Sequence, residues 1–159
     1  MKVKGIIVED FINYKKPAMF ISTYTCSFKC DRECGRAVCQ NSALATAPII
    51  ELDDADIIDL YMKNNITKSI VIGGLEPFDD FKELKEFCAK LRLVTYDDIV
   101  IYTGYDCYEI SDKVTELVSV VNSNLIVKYG RFIPNQLPHY DEVLGVNLAS
   151  DNQYGEKEC

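Results

Sequence analysis

Histidine is nearly missing from this chain. His139 is the only one among 159 residues. That scarcity all but excludes a mixed Cys/His zinc site. His139 lies between Pro138 and Tyr140 and reads as a structural or surface residue. Positive charge is also short, with 17 Lys and Arg against 25 Asp and Glu and a net charge of −8. Phosphate backbones are bound by basic faces, so nucleic acid is not an expected partner. No apolar run approaches the ~20 residues of a membrane span. The opening MKVKGIIVEDF is interrupted by Glu9 and Asp10 before it reaches the length of a signal-peptide core. The expectation is a cytoplasmic chain in a reducing compartment, without membrane contact. Internal repeats, low-complexity tracts and linkers are absent too. The length suits one domain spanning residues 1–159, able to bury about 70% of its unfolded surface.

Cysteine, by contrast, is plentiful. Four of the seven cysteines fall in one polar segment, CSFKCDRECGRAVCQN, over residues 26–41. In a reducing compartment, clustered cysteines read as metal ligands rather than bridges. Thiolates are soft donors for zinc or for iron–sulfur clusters. Here three, three and four residues separate Cys26, Cys30, Cys34 and Cys39. Structural zinc favours two close pairs, so the spacing fits zinc poorly. A loop around a larger iron–sulfur cluster tolerates it. The alternative from another class is a zinc-stabilised interaction module without catalysis. Lys29, Arg32 and Arg36 give the segment a local basic bias beside Asp31 and Glu33. It could meet an acidic protein or offset thiolate charge, or it is a solvated loop. Cys88 lies on an apolar helical stripe and reads as a core residue. Neither Cys107 nor Cys159 is assigned a role.

Elsewhere strands and helices alternate. Met19-Phe20-Ile21 opens an extended segment that ends at Cys26. Asp53 is placed to cap a helix, with Asp54 and Asp56 at its positive end and Ile57, Ile58, Tyr61 and Met62 on one face. Ser69-Ile70-Val71-Ile72 is a β-branched strand stopped by Gly73-Gly74. Asp79 or Asp80 caps the next helix, whose stripe is Phe81, Leu84, Phe87, Cys88 and Leu91. Ile99–Tyr102 is a strand closed by Thr103-Gly104. A helix from about Ser111 to Val121 carries Val114, Leu117, Val118 and Val121 on one side. Leu125-Ile126-Val127 is a further strand. The residues from about Gln153 to Cys159 are polar and expected to be loose.

This alternation implies parallel βαβ units, whose sites lie at the carboxyl ends of the strands. Cys26, the loop Gly73-Gly74-Leu75-Glu76-Pro77, and Thr103-Gly104-Tyr105 all fall at such ends. They can converge on one site. The paired glycines let backbone approach a ligand, and Glu76 could hold a cationic amino group. By itself the loop is equally a tight turn before a helix, with Pro77 near the helix start.

Cys26-Ser27-Phe28-Lys29-Cys30, Gly73-Gly74-Leu75-Glu76-Pro77 and Tyr102-Thr103-Gly104-Tyr105 together resemble the radical S-adenosylmethionine (SAM) superfamily. Within it, Val127-Lys128-Tyr129-Gly130-Arg131-Phe132 and Ser150-Asp151-Asn152-Gln153 resemble the activating proteins of anaerobic ribonucleotide reductase. The resemblance runs from about residue 17 to 153. It implies an α/β fold, a partial (β/α) barrel with a mostly parallel sheet. It also implies a [4Fe–4S] cluster on three cysteines, SAM on the open iron, reductive SAM cleavage, and radical formation on a glycine of the partner reductase. A flavodoxin or ferredoxin would donate the electron. Gly73, Gly74, Glu76 and Pro77 would lie near the methionyl amino group, and Thr103 would be a polar contact to SAM.

The superfamily spacing is Cys-x3-Cys-x2-Cys, and this chain departs from it. Cys34 comes one residue late. Cys39 follows an apolar residue, Val38, and precedes Gln40-Asn41, as the third ligand does in activating proteins. The resemblance therefore selects Cys26, Cys30 and Cys39, with Cys34 as the alternative third ligand. Leu75 is a second departure, inserted into the common Gly-Gly-Glu-Pro. A radical SAM enzyme acting on a small molecule is the remaining alternative. The chain is short for an enclosed substrate pocket as well as a SAM site.

Overall fold

A computed structural model describes residues 1–159. The elements follow in the order β1 (Lys2–Asp10), β2 (Ala18–Thr23), α1 (Lys29–Cys34), α2 (Ser42–Ala45), β3 (Ile50–Glu51) and α3 (Asp54–Lys63). Next come β4 (Ser69–Gly73), a 3-10 turn (Pro77–Asp80), α4 (Phe81–Arg92), β5 (Asp98–Tyr102), α5 (Cys107–Val121) and β6 (Leu125–Tyr129). The chain finishes with β7 (His139–Asp141), β8 (Val146–Leu148) and β9 (Tyr154–Glu158).

Seven strands form one sheet in the order β3-β1-β2-β4-β5-β6-β9. The four central strands, β2, β4, β5 and β6, run parallel. The outer pairings at both margins are antiparallel. β7 and β8 make a separate hairpin. The fold is mixed α/β, and the parallel centre is the expected one. The sheet does not close on itself: β3 and β9 are free edges.

The central strands are short and β-branched because both of their faces are covered. Met19, Ile21, Ile70, Ile72, Ile99, Ile101, Leu125 and Val127 belong to the larger core, with Ile57 and Tyr61 of α3, Leu84, Phe87, Cys88 and Leu91 of α4, and Val114, Leu117 and Val121 of α5. The alternate residues Ala18, Val71, Val100 and Ile126 pack with Tyr14, Leu144 and Leu148. Cys88 is a fully buried core residue, as its stripe implied. No helix is long and apolar enough to cross a membrane.

Several expectations are corrected. The tail is not loose. Residues 154–158 form β9 and pair with β6 from Tyr154↔Tyr129 to Glu158↔Leu125. An edge strand on a buried neighbour is held by main-chain bonds, so it needs no apolar signature. Met62 is half exposed rather than part of the α3 stripe. Asp53 stands at the N-cap of α3 but its side chain makes no cap bond. α5 begins at Cys107, earlier than Ser111, because Asp106 and Glu109 form a reciprocal capping box, with a kink at Ile110. The strand before the cysteine segment stops at Thr23 rather than running to Cys26. Asp80, of the two candidates, caps α4 by accepting from the Glu83 amide at 3.3 Å.

Candidate functional site

The carboxyl ends of the parallel strands open on a cavity of about 820 Å³. Strand alternation fixes what its floor presents. Phe20 and Ser22 of β2, Tyr102 of β5 and Lys128 of β6 line it. Gly73 has the same register on β4. A Cβ there would approach the Tyr102 Cβ to 2.9 Å, so glycine leaves room for the tyrosine. The loops that follow β2, β4, β5 and β6 supply the walls through Cys26, Gly74 to Glu76, Thr103 to Tyr105, and Gly130-Arg131. The expected convergence of strand-end motifs is therefore observed. Gly73 and Pro77 do not line this cavity.

The cysteine segment folds over one wall. Ser27 donates its amide to Asp79 Oδ2 at 2.5 Å, and Tyr105 donates its hydroxyl to Asp79 Oδ1 at 2.6 Å. The Phe28 amide donates to Cys26 Sγ at 3.2 Å. Phe28 itself sits at φ 51°, a left-handed turn that is rare for a bulky residue, and it leads straight into α1. Helix α1 ends on Gly35, also left-handed. The chain then returns through Cys39, and Asn41 donates its side-chain amide to the Gly74 carbonyl at 2.7 Å. Cys26, Cys30 and Cys39 line the cavity, and Cys34 does not. The helix inside the cysteine segment had no sequence signal, since KCDREC shows no apolar period.

Burial pushes the Cys26 thiol up to about 11 and the Cys30 thiol up to about 12, the latter also through Cys39 beside it. Neutral thiols do not suit a nucleophile. A bound iron centre reverses the preference, because a coordinating thiol is deprotonated outright. In a four-iron cube each cysteine takes a different iron, so soft donors spread around a cavity wall fit it.

Glu76 joins two walls. Its Oε1 accepts from the Phe78 amide at 3.1 Å and the Thr103 hydroxyl at 2.7 Å. Its Oε2 accepts from the Gly104 amide at 2.8 Å. The carboxylate and Thr103 are thus engaged with each other. One lone-pair site on the Glu76 carboxylate is left for a ligand. Burial raises its pKa to about 7, against the lowering effect of those three bonds. Lys128 is the buried cation of the floor, lowered by burial to about 8, with its ammonium on the Gly130 carbonyl at 2.7 Å. A lysine inside the apolar run Leu125–Tyr129 was the sequence signal for it.

A charged strap holds α1 to the start of α5 and to the loop after β6. Lys29 bonds Glu109, and Arg131 bonds Glu109 at 2.5 Å and Asp106 at 3.4 Å. Both cations lie near the Tyr105 ring, 5.4 and 5.7 Å from its centre. Burial pushes the Glu109 carboxyl up, yet bonds from Lys29, the Asp106 amide and Arg131 outweigh it and hold the group at about 2.

Two glycines here are irreplaceable by geometry. Gly130, at φ 93°, passes so close to the turn before β9 that a Cβ would meet the Asn152 carbonyl oxygen at 2.8 Å. Gly74, at φ 82°, would place a Cβ 2.8 Å from Leu44 Cδ2 and 3.3 Å from Ser22. Gly74→Ala is expected to cost about 1–3 kcal/mol of stability, from the left-handed backbone and the contact with Leu44. Urea unfolding of the variant checks this.

The model of the 4Fe-4S single cluster domain family matches residues 17–148, a span that includes all four clustered cysteines and the strands that carry the cavity. The chain belongs to this family. It is a radical-SAM-associated iron–sulfur family. A 4Fe–4S cluster domain thus makes up most of the chain, and iron–sulfur binding replaces zinc as the reading of the thiols. No curated protein and no solved structure matches the chain.

Proposed function

We propose that this iron–sulfur protein is a radical SAM activase. On this reading Cys26, Cys30 and Cys39 hold a [4Fe–4S] cluster, SAM occupies the adjoining cavity, and the partner is an anaerobic ribonucleotide reductase that receives a glycyl radical. When bound, the cluster and SAM supply reductive cleavage of a sulfonium and abstraction of a hydrogen atom from the partner's glycine. The observation that carries the proposal is the opening of three thiols and four strand-end loops on one cavity, about 820 Å³ in volume. Ligand sites of cofactor size span ~300–1,000 Å³.

The protein's own groups have definable tasks. The thiols anchor one end of the cavity. The Gly74 to Glu76 wall, with Thr103 behind it, offers a carboxylate to a cationic amino group. Phe20, Leu44 and Tyr102 contribute apolar surface that excludes water. The two segments that suggested the activase subgroup also interlock. Gln153 donates to the Gly130 carbonyl at 3.2 Å, and Asn152 donates to the Arg131 carbonyl at 2.9 Å. Together they shape the wall beyond β6, where a partner's glycine loop would enter.

The test is anaerobic purification, iron and sulfide analysis, then reduction in the presence of SAM. The expected result is four iron and four sulfide per chain and steady formation of 5′-deoxyadenosine, with a glycyl radical signal once the reductase is added. A colourless chain carrying one tight zinc and no sulfide would end this reading.

A further inference from the structure

We propose that Asp31 is the positioning residue that brings the third thiol of the cysteine segment back to the cavity. The inference rests on the functional reading above. Cys30 and Cys39 are separated by eight residues, and α1 carries the chain away from the cavity before Gly35 turns it. A free span of this length leaves the last thiol with many positions, and ordering it costs loop entropy.

One carboxylate oxygen removes most of that freedom. Asp31 Oδ1 accepts from the Val38 amide at 2.7 Å and from the Cys39 amide at 2.8 Å. Both bonds tie the returning segment to α1 through its main chain. The same oxygen lies 3.8 Å from Cys30 Sγ. A single side chain therefore touches one cavity-lining cysteine and holds the amide of the next. The bonds are charge-assisted, the stronger class of main-chain contact. Asn41 secures the far end of the span on the Gly74 carbonyl. Residues 31–38 thus become a closed side loop, and the chain re-enters the cavity at Cys39 as though the insertion were absent. Cys34, at the end of α1, is left on that side loop.

The test uses the full chain, reconstituted without oxygen from ferrous iron and sulfide. Asp31→Asn and Asp31→Ala are compared with the parent. The readouts are iron and sulfide content, iron release to a chelator, the reduced-cluster EPR spectrum and thermal unfolding of the metal-free chain. Asp31→Ala is expected to release iron about 10–100-fold faster, the range for groups that orient a metal ligand. Its EPR spectrum should change while metal-free unfolding stays close to the parent's. Asp31→Asn keeps an acceptor oxygen in place and should restore most of the retention.

Parent-like iron retention in Asp31→Ala would overturn the inference and leave the functional reading intact. So would a marked loss of thermal stability in the metal-free Asp31→Ala chain, which would make Asp31 a general support of the fold. A parent chain that takes up no four-iron centre would overturn both.

Discussion

Replacing Cys26, Cys30 or Cys39 with alanine is expected to abolish both the four-iron centre and 5′-deoxyadenosine formation, while Cys34→Ala keeps most of each. The three thiols line the cavity, and Cys34 does not. Losing one of three protein ligands exposes a second iron corner, and such a centre loses iron on handling. The contrast between the two later cysteines is the sharper half of the prediction. Cys34 is the last residue of α1, one turn beyond Cys30, so it shares a helix face with a proposed ligand. The cavity nevertheless takes its third thiol from the returning strand of the loop. Iron and sulfide analysis of the four variants decides between them. If Cys34→Ala empties the site and Cys39→Ala does not, the third ligand is Cys34.

The second large effect is expected at Glu76. Glu76→Ala leaves the Thr103 hydroxyl and the Phe78 and Gly104 amides without their acceptor in a buried place. The stability loss should be about 2–5 kcal/mol, and SAM affinity should fall while the cluster stays. Urea unfolding and equilibrium binding of SAM measure the two parts. Unchanged affinity would count against the role given to the glycine loop. Glu76 also makes stability depend on pH. Its carboxyl is raised from an ordinary 4.5 to about 7. Between those values the folded chain holds a proton that the unfolded chain has released. The group's contribution therefore falls as pH rises through that window and levels off above it. The stability difference between parent and Glu76→Gln, followed from pH 5 to pH 8, should show this slope.

The sequence disclosed the parts that repeat a physical rule. The central strands are apolar on both faces, and the stripes of α4 and α5 recur at helical spacing. Those patterns survive without tertiary information. The loops at the strand ends were legible because glycine pairs and clustered thiols are rare in packing roles. Three things were not legible. β1 and β9 are half-polar edge-region strands, and Tyr154-Gly155-Glu156-Lys157-Glu158 shows no apolar alternation, because its order comes from the β6 backbone. Helix α1 is too short for a period, and its start depends on a left-handed Phe28. The Asp31 and Asp79 contacts join residues whose adjacency is created by the returning loop itself. Sequence could name the cysteines but could not say how the chain between them is routed.

The antiparallel run of β9 has a practical outcome for handling the protein. Tyr154 lies beside Tyr129, at the end of the sheet where the cavity opens, and Glu158 lies beside Leu125, at the opposite end. A purification tag or reporter appended after Cys159 would therefore emerge far from the thiols. An extension placed before Met1 would do the reverse. It would remove the ammonium that bonds the Leu52 carbonyl at 2.6 Å and Asp54 at 2.8 Å, and it would start beside the strand end that leads to Cys26.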